Sequence, residues 1–146
     1  MSDKSIQAKS MMMGGFNCAQ SVLSAFAPEL AFGKKDALRV AGAFGGGMGR
    51  MGKTCGAVAG AFITIGLVSS KTAEGEDGER EVGYALVQEF TELFEARHGT
   101  VECQALLGAN IGTEEGMAFA KANALFSTKC VQYVEDAVTI LEEILP

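Results

Sequence analysis

Four cysteines are the most reactive side chains of this chain, and each lies at or near the predicted start of a helix. They are Cys18, Cys55, Cys103 and Cys130. Residues that favour the N-cap position precede them by one or by three positions, namely Asn17, Thr54, Thr100 and Ser127. A helix N-terminus offers free N–H donors and the positive end of the dipole, and both favour the thiolate over the thiol. Thiolates are the form that redox chemistry and metal ligation require.

The four cysteines also lie on the predicted buried faces of their helices. Cys18 shares a helical stripe with Val22 and Phe26, and the other three have the same relation to Val58, Leu106 and Val134. Unpaired cysteine is often an inert core residue, so any one of the four could be a packing residue. Four unrelated core cysteines would be scattered along their helices. Their shared placement at helix starts favours one common site.

Length and composition set the broad class of the protein. Residues 1–146 are predicted to form a single domain that buries a core without disulfides, and no signal-like segment begins the chain. Four cysteines in such a chain indicate a reducing, cytoplasmic location. The net charge of −6 disfavours nucleic-acid binding. The longest apolar stretch, residues 56–68, is shorter than the roughly 20 residues of a membrane span.

Helical periodicity dominates the sequence and predicts an all-α fold. One clear stripe contains Val82, Leu86, Phe90 and Phe94, and no segment shows convincing strand alternation. Further helices are predicted at residues 5–13, 35–43, 114–122 and 131–145, and one begins near Cys18 and ends before Pro28. The polar run 69–83 is predicted to be an exposed linker that winds into a helix at its far end. The predicted architecture is a compact helical bundle with a glycine-rich loop.

The glycine-rich loop contains a match to a phosphate-binding motif. Residues 47–54 read GMGRMGKT, which satisfies G-x-x-x-x-G-K-[ST]. That motif works at the end of a buried strand, and no confident strand precedes this segment, so nucleotide binding is disfavoured. The glycines instead allow the loop to fold tightly over the site that Cys55 faces. Its N–H groups, with Arg50 and Lys53, could form a nest for negative charge.

The order of the cysteines resembles that of a known family. Cys55 opens the motif Cys-Gly-Ala-Val-Ala-Gly, with the lone Cys18 upstream and the lone Cys103 and Cys130 downstream. This pattern is similar to that of the redox-active C_GCAxxG_C_C family over residues 14–145. The resemblance implies a helical protein with redox or metal-related chemistry carried by the four cysteines. Gly56, Gly60 and the alanines between them should also let another helix backbone approach closely.

Three functions are compatible with this sequence. The first is an electron-transfer protein whose four cysteines bind a 2Fe-2S cluster or another metal, with Gly56 and Arg50 beside the cofactor and a redox protein as partner. The absence of a CxxC pair counts against it, since common clusters use short spacings. The second is a thiol–disulfide protein with Cys55 as the low-pKa nucleophile. The third is a non-catalytic binding module with structural cysteines.

Overall fold

The computed structural model describes residues 2–72 and 75–146, and it is built from helices. In chain order these are α1 (Asp3–Met13), α2 (Cys18–Phe26), α3 (Lys34–Val40), α4 (Gly45–Met48), α5 (Gly56–Thr72), α6 (Gly75–His98), α7 (Cys103–Leu107), α8 (Glu114–Ala122) and α9 (Lys129–Ile144). A 3-10 turn (Ala27–Leu30) follows α2. Within the described ranges the chain forms no strand, and Thr54 and Glu102 form an isolated antiparallel bridge. The all-α prediction is confirmed.

The longer helices pack around one apolar core. Helix α2 lies against α5, α5 lies against α6, and α9 packs on α1, α2, α5 and α6. Phe90 and Phe94 of α6 are completely buried, and their rings stack with centroids 5.9 Å apart. Among the described helices, none is both long enough and apolar enough to cross a membrane.

The region predicted as a linker is mostly helical. Helix α5 continues to Thr72, and α6 already begins at Gly75, so much of the run 69–83 belongs to regular structure. Residues 73 and 74, which the prediction included, lie outside the described residues. Glu76 and Asp77 in the first turn of α6 stabilise its positive dipole end, and this local signal favours an early helix start.

Helices α2 and α5 approach each other closely at Gly60. A Cβ atom built on Gly60 would lie 2.7 Å from the carbonyl oxygen of Ala19 and 2.9 Å from its Cα. These distances leave no space for a side chain at position 60. The predicted close approach at the small-residue face of this helix is therefore confirmed, and it holds the starts of α2 and α5 side by side.

A candidate functional site lined by four cysteines

The four cysteines line one cavity of about 630 Å³. All four are free thiols, and between 5% and 8% of each residue is exposed. They come from four segments that are far apart in sequence, at or next to the starts of α2, α5, α7 and α9. The fold therefore brings four helix N-termini to the wall of the same cavity.

Local capping positions Cys18 as the first residue of α2. The side chain of Asn17 accepts a hydrogen bond from the N–H of Gln20 at 2.8 Å, and the N–H of Asn17 donates to Oε1 of Gln20 at 3.0 Å. This reciprocal arrangement is a capping box, and it determines where the helix begins. The N-cap predicted at Asn17 is confirmed.

The start of α5 differs from the prediction. Its first residue is Gly56, so Cys55 lies just before the helix, with Thr54 one residue farther out. The thiol of Cys55 accepts hydrogen bonds from the N–H groups of Val58 and Ala57 and performs the capping role itself. The predicted cap at Thr54 is wrong because Thr54 takes part in the bridge to Glu102.

Backbone pairing brings Cys55 and Cys103 together. The N–H of Cys55 donates to the carbonyl of Val101 at 2.7 Å, and the N–H of Cys103 donates to the carbonyl of Lys53 at 2.6 Å. These bonds flank the Thr54–Glu102 bridge. Because side chains alternate along paired extended segments, Cys55 and Cys103 are diagonal neighbours on the same face.

Cys18 and Cys130 form a second pair through their side chains. A hydrogen bond joins the two thiols, and it lowers the pKa of Cys130 while it raises the pKa of Cys18. Burial and the negative charge of the neighbouring thiolates raise the pKa of Cys18 further. Cys130 is therefore the member of the pair that carries negative charge more readily.

Burial controls the pKa of the other two thiols. It raises the pKa of Cys55 to about 12, although the N–H groups of Val58 and Ala57 act in the opposite direction. It also raises the pKa of Cys103 to about 11, with the charges of Cys130 and Glu102 adding to the effect. The predicted low pKa at Cys55 is wrong because the cost of burying the thiolate exceeds the gain from the helix N-terminus.

The glycine-rich loop closes one side of the cavity in an unusual backbone conformation. Residues 46–50 all have φ between +65° and +70°, including the non-glycine residues Met48 and Arg50, so the short α4 is part of this loop and is not a regular right-handed helix. A Cβ atom on Gly47 would lie 2.5 Å from the Cβ of Cys103, so the loop passes directly over this cysteine. The segment that precedes the loop contains helix α3, whereas a phosphate-binding loop of the Walker type follows a strand.

A family model described as "Putative redox-active protein (C_GCAxxG_C_C)" matches residues 16–144. The chain belongs to the C_GCAxxG_C_C family. No curated protein and no solved structure gives a significant match to it. Membership in this family identifies a redox-active class of protein whose name records the order of the four cysteines found at the cavity.

At the central motif, the chain departs from the order in the family name. The name places glycine before cysteine, whereas Cys55 precedes Gly56 here. A Cβ atom on Gly56 would lie 3.0 Å from the Cβ of Cys18, so a side chain at position 56 would point toward Cys18. Positions 55 and 56 of this chain both line the cavity, so the wall includes the position of the thiol in either order.

The structure places both predicted companions of the cysteines, Gly56 and Arg50, in the cavity wall. It also adds residues that sequence reasoning missed, above all Tyr133 and Lys121. The hydroxyl of Tyr133 donates to the carbonyl of Leu106 at 3.0 Å. Tyr133 follows Cys130 by three residues, so the two side chains share a helical face, and this spacing could have predicted that Tyr133 lies at the site. No comparable spacing in the sequence relates Lys121 to a cysteine, because Lys121 lies in α8, which contains none of the four.

No group of three or more His, Cys, Asp or Glu side chains in the described ranges is arranged to hold a metal ion. The four thiols form a close Cys18–Cys130 pair and a bridge-linked Cys55–Cys103 pair around a cavity. The described residues of this chain therefore form no preformed cage for one ion. Two thiol pairs at one cavity are the arrangement that any proposed centre must accommodate.

The pKa pattern predicts the order in which the thiols react in reduced, metal-free protein. Cys130 and Cys55 are almost equally buried, at 7% and 5% exposure, so the thiolate fraction should decide the difference. Because the pKa of Cys130 is lowered and that of Cys55 is raised, Cys130 should react with iodoacetamide first. Mass mapping of timed alkylation at pH 7 and 9 measures this order. Faster labelling of Cys55 at both pH values would contradict the assignment.

Proposed function

We propose that this protein transfers electrons through a cluster of the 2Fe-2S type held by Cys18, Cys55, Cys103 and Cys130. The observation that carries the proposal is the convergence of all four thiols on one cavity from four distant segments. Four cysteine thiolates are the ligand set of such a cluster. The scattered spacing, which differs from the short spacings of common cluster motifs, is accommodated by a scaffold of helix starts.

The pairing of the thiols favours a two-iron centre over a single metal ion. Cys18 is paired with Cys130 through their hydrogen bond, and Cys55 with Cys103 through the backbone bridge. Two pairs suit a centre with two metal ions, whereas a mononuclear site needs one compact group of ligands, which the described residues do not form. When bound, the cluster supplies one-electron chemistry.

The surrounding residues provide the environment that such a centre needs. Leu106, Leu107 and Ile111 are buried side chains in the cavity wall, and they limit the access of water. The N-termini of α2, α5 and α9 and the guanidinium of Arg50 favour negative charge at the cavity. Because the pKa values of Cys18, Cys55 and Cys103 are raised, these three thiols are protonated in the metal-free protein, and loading the centre must release their protons. A redox protein partner and a cytoplasmic, reducing location complete the proposal.

The Cys18–Cys130 hydrogen bond favours a second candidate, a thiol–disulfide protein. The Cys130 thiolate would attack a disulfide substrate, and one substrate thiolate would leave and take up a proton. Cys18 would then lose its proton and attack the sulfur of Cys130, which releases the second substrate thiol. The Cys18–Cys130 pair would end as a disulfide and the substrate as two thiols. In this candidate Cys130, and not Cys55, is the nucleophile.

Anaerobic purification followed by visible spectroscopy and metal analysis tests the proposal. We expect visible charge-transfer bands with about two iron and two sulfide ions per chain. Colourless protein that exchanges thiols with a disulfide substrate would overturn the cluster proposal in favour of the second candidate. Colourless protein without such exchange would leave a binding module with structural cysteines, and one zinc ion per chain would indicate a mononuclear site.

A further inference from the structure

The cavity beside the thiols is as large as a small-molecule site. Its volume is about 630 Å³, and ligand pockets in proteins occupy roughly 300–1,000 Å³. Four thiol ligands of a metal centre need no cavity of this size, because they contact the centre directly. The cavity therefore has room for a second bound molecule. The residues of its wall indicate the chemical class of that molecule.

The charged residues that the structure places in the wall are positive. Arg50 and Lys121 line the cavity, and no aspartate or glutamate among the described residues does so. Within the described ranges neither Arg50 nor Lys121 forms an ion pair. This excess is local, because the whole chain has a net charge of −6. The cavity therefore favours an anionic occupant.

The backbone of the glycine-rich loop adds hydrogen-bond donors. Gly45, Gly46 and Gly47 line the cavity, and their N–H groups donate no hydrogen bond to the described part of the chain. The backbone dihedral angles of Phe44 are in the right-handed helical region, and those of Gly46 and Gly47 are in the left-handed region. A change from right-handed to left-handed residues is typical of an anion-binding nest. The Cys103 thiol lies in the same cavity, is 7% exposed, and also makes no hydrogen bond within those ranges.

The side chain of Arg50 is held beside these donors. A Cβ atom on Gly46 would lie 2.7 Å from the Cγ of Arg50, so the arginine stem packs on the bare backbone of Gly46. Arg50 itself has φ +65°, a left-handed backbone conformation that non-glycine residues rarely adopt. The loop thus places the aliphatic stem of Arg50 against the glycine segment that carries the three free N–H groups.

The remaining wall is apolar and indicates an organic occupant. Leu106, Leu107, Ile111, Met117 and Phe126 line the cavity together with the charged residues. We infer that the cavity binds a small organic carboxylate, with its charge toward Arg50, Lys121 and the loop N–H groups and its apolar body toward these side chains. Any role of this carboxylate in redox chemistry rests on the proposed function. Binding of the carboxylate does not require a cluster.

Calorimetric titration of the reduced full-length protein with butyrate tests this inference. Butyramide has nearly the same shape without the charge, and sulfate has the charge without the apolar body. We expect butyrate to bind more tightly than either. The Arg50→Gln, Lys121→Gln double variant should weaken butyrate binding by about tenfold or more, since hydrogen bonds to charged groups are lost. The Lys35→Gln variant removes an exposed lysine that does not line the cavity, and it should bind butyrate normally.

Three results would overturn the inference, and each is distinct from failure of the cluster proposal. They are no butyrate binding, equal binding of butyramide or sulfate, and unchanged butyrate binding in the double variant. Circular dichroism melting of the variants shows whether they are folded. Iron and sulfide analysis of the same wild-type preparation reports on the cluster separately, because butyrate can bind or fail to bind at either metal content.

Discussion

Replacing any one of the four cysteines with serine is expected to abolish stable retention of iron. Each thiol lines the same cavity, and under the cluster proposal each supplies one of the four ligands. A serine hydroxyl is a harder and much less acidic ligand, so it is a poor substitute for a thiolate at an iron–sulfur centre. The measurement is the iron and sulfide content of anaerobically purified Cys18→Ser, Cys55→Ser, Cys103→Ser and Cys130→Ser proteins.

A change in the cavity wall that removes no thiol provides the control. Tyr133 lines the cavity and donates a hydrogen bond to Leu106, so the Tyr133→Phe variant perturbs the wall without removing a cysteine. It should retain wild-type iron. Loss of thiol–disulfide exchange confined to Cys18→Ser and Cys130→Ser would instead support the dithiol candidate. Wild-type iron content in Cys55→Ser would be incompatible with a four-cysteine cluster.

The Gly60→Ala substitution is expected to destabilise the protein by about 1–3 kcal/mol or more, because the added methyl group overpacks a backbone contact. Its Cβ atom would lie 2.7 Å from the carbonyl oxygen of Ala19, and neither helix backbone can yield as a flexible side chain could. Separation of α2 and α5 would also move Cys18 relative to Cys55. Chemical denaturation measures the free energy of unfolding, and iron content measures the effect on the site.

Gly66 provides a matched control in the same helix. It lies in α5, it is exposed, and a Cβ atom built there would meet no atom within 4 Å. The Gly66→Ala variant should therefore be more stable than wild type by about 1 kcal/mol, since alanine has the higher helix propensity. Changes of opposite sign in the free energy of unfolding at positions 60 and 66 would separate the effect of packing from the effect of helix propensity. Destabilisation of similar size at both positions would show that the Ala19 contact is not the cause.

Local rules account for the parts of the fold that could be predicted. The helix from Asp3 to Met13, the long amphipathic helix with Phe90 and Phe94, and the helix from Glu114 to Ala122 each carry a periodic or capping signal within a few residues. The capping box of Asn17 and Gln20 is such a signal. Where a distant segment competes, the local rule fails: Thr54 pairs with Glu102, so Cys55 takes over the cap of α5.

Three properties could be read from the amino-acid order alone: the all-α class, the placement of the cysteines near helix starts, and membership in a redox-active family. These properties follow from periodicity, capping and motif order, which act over short stretches of chain. Three others depend on contacts between distant segments: the four thiols share one cavity, Cys18 pairs with Cys130, and the pKa of Cys130 is lowered. Burial and contact between distant segments control a thiol pKa, and neither quantity can be read from the residues that flank a cysteine.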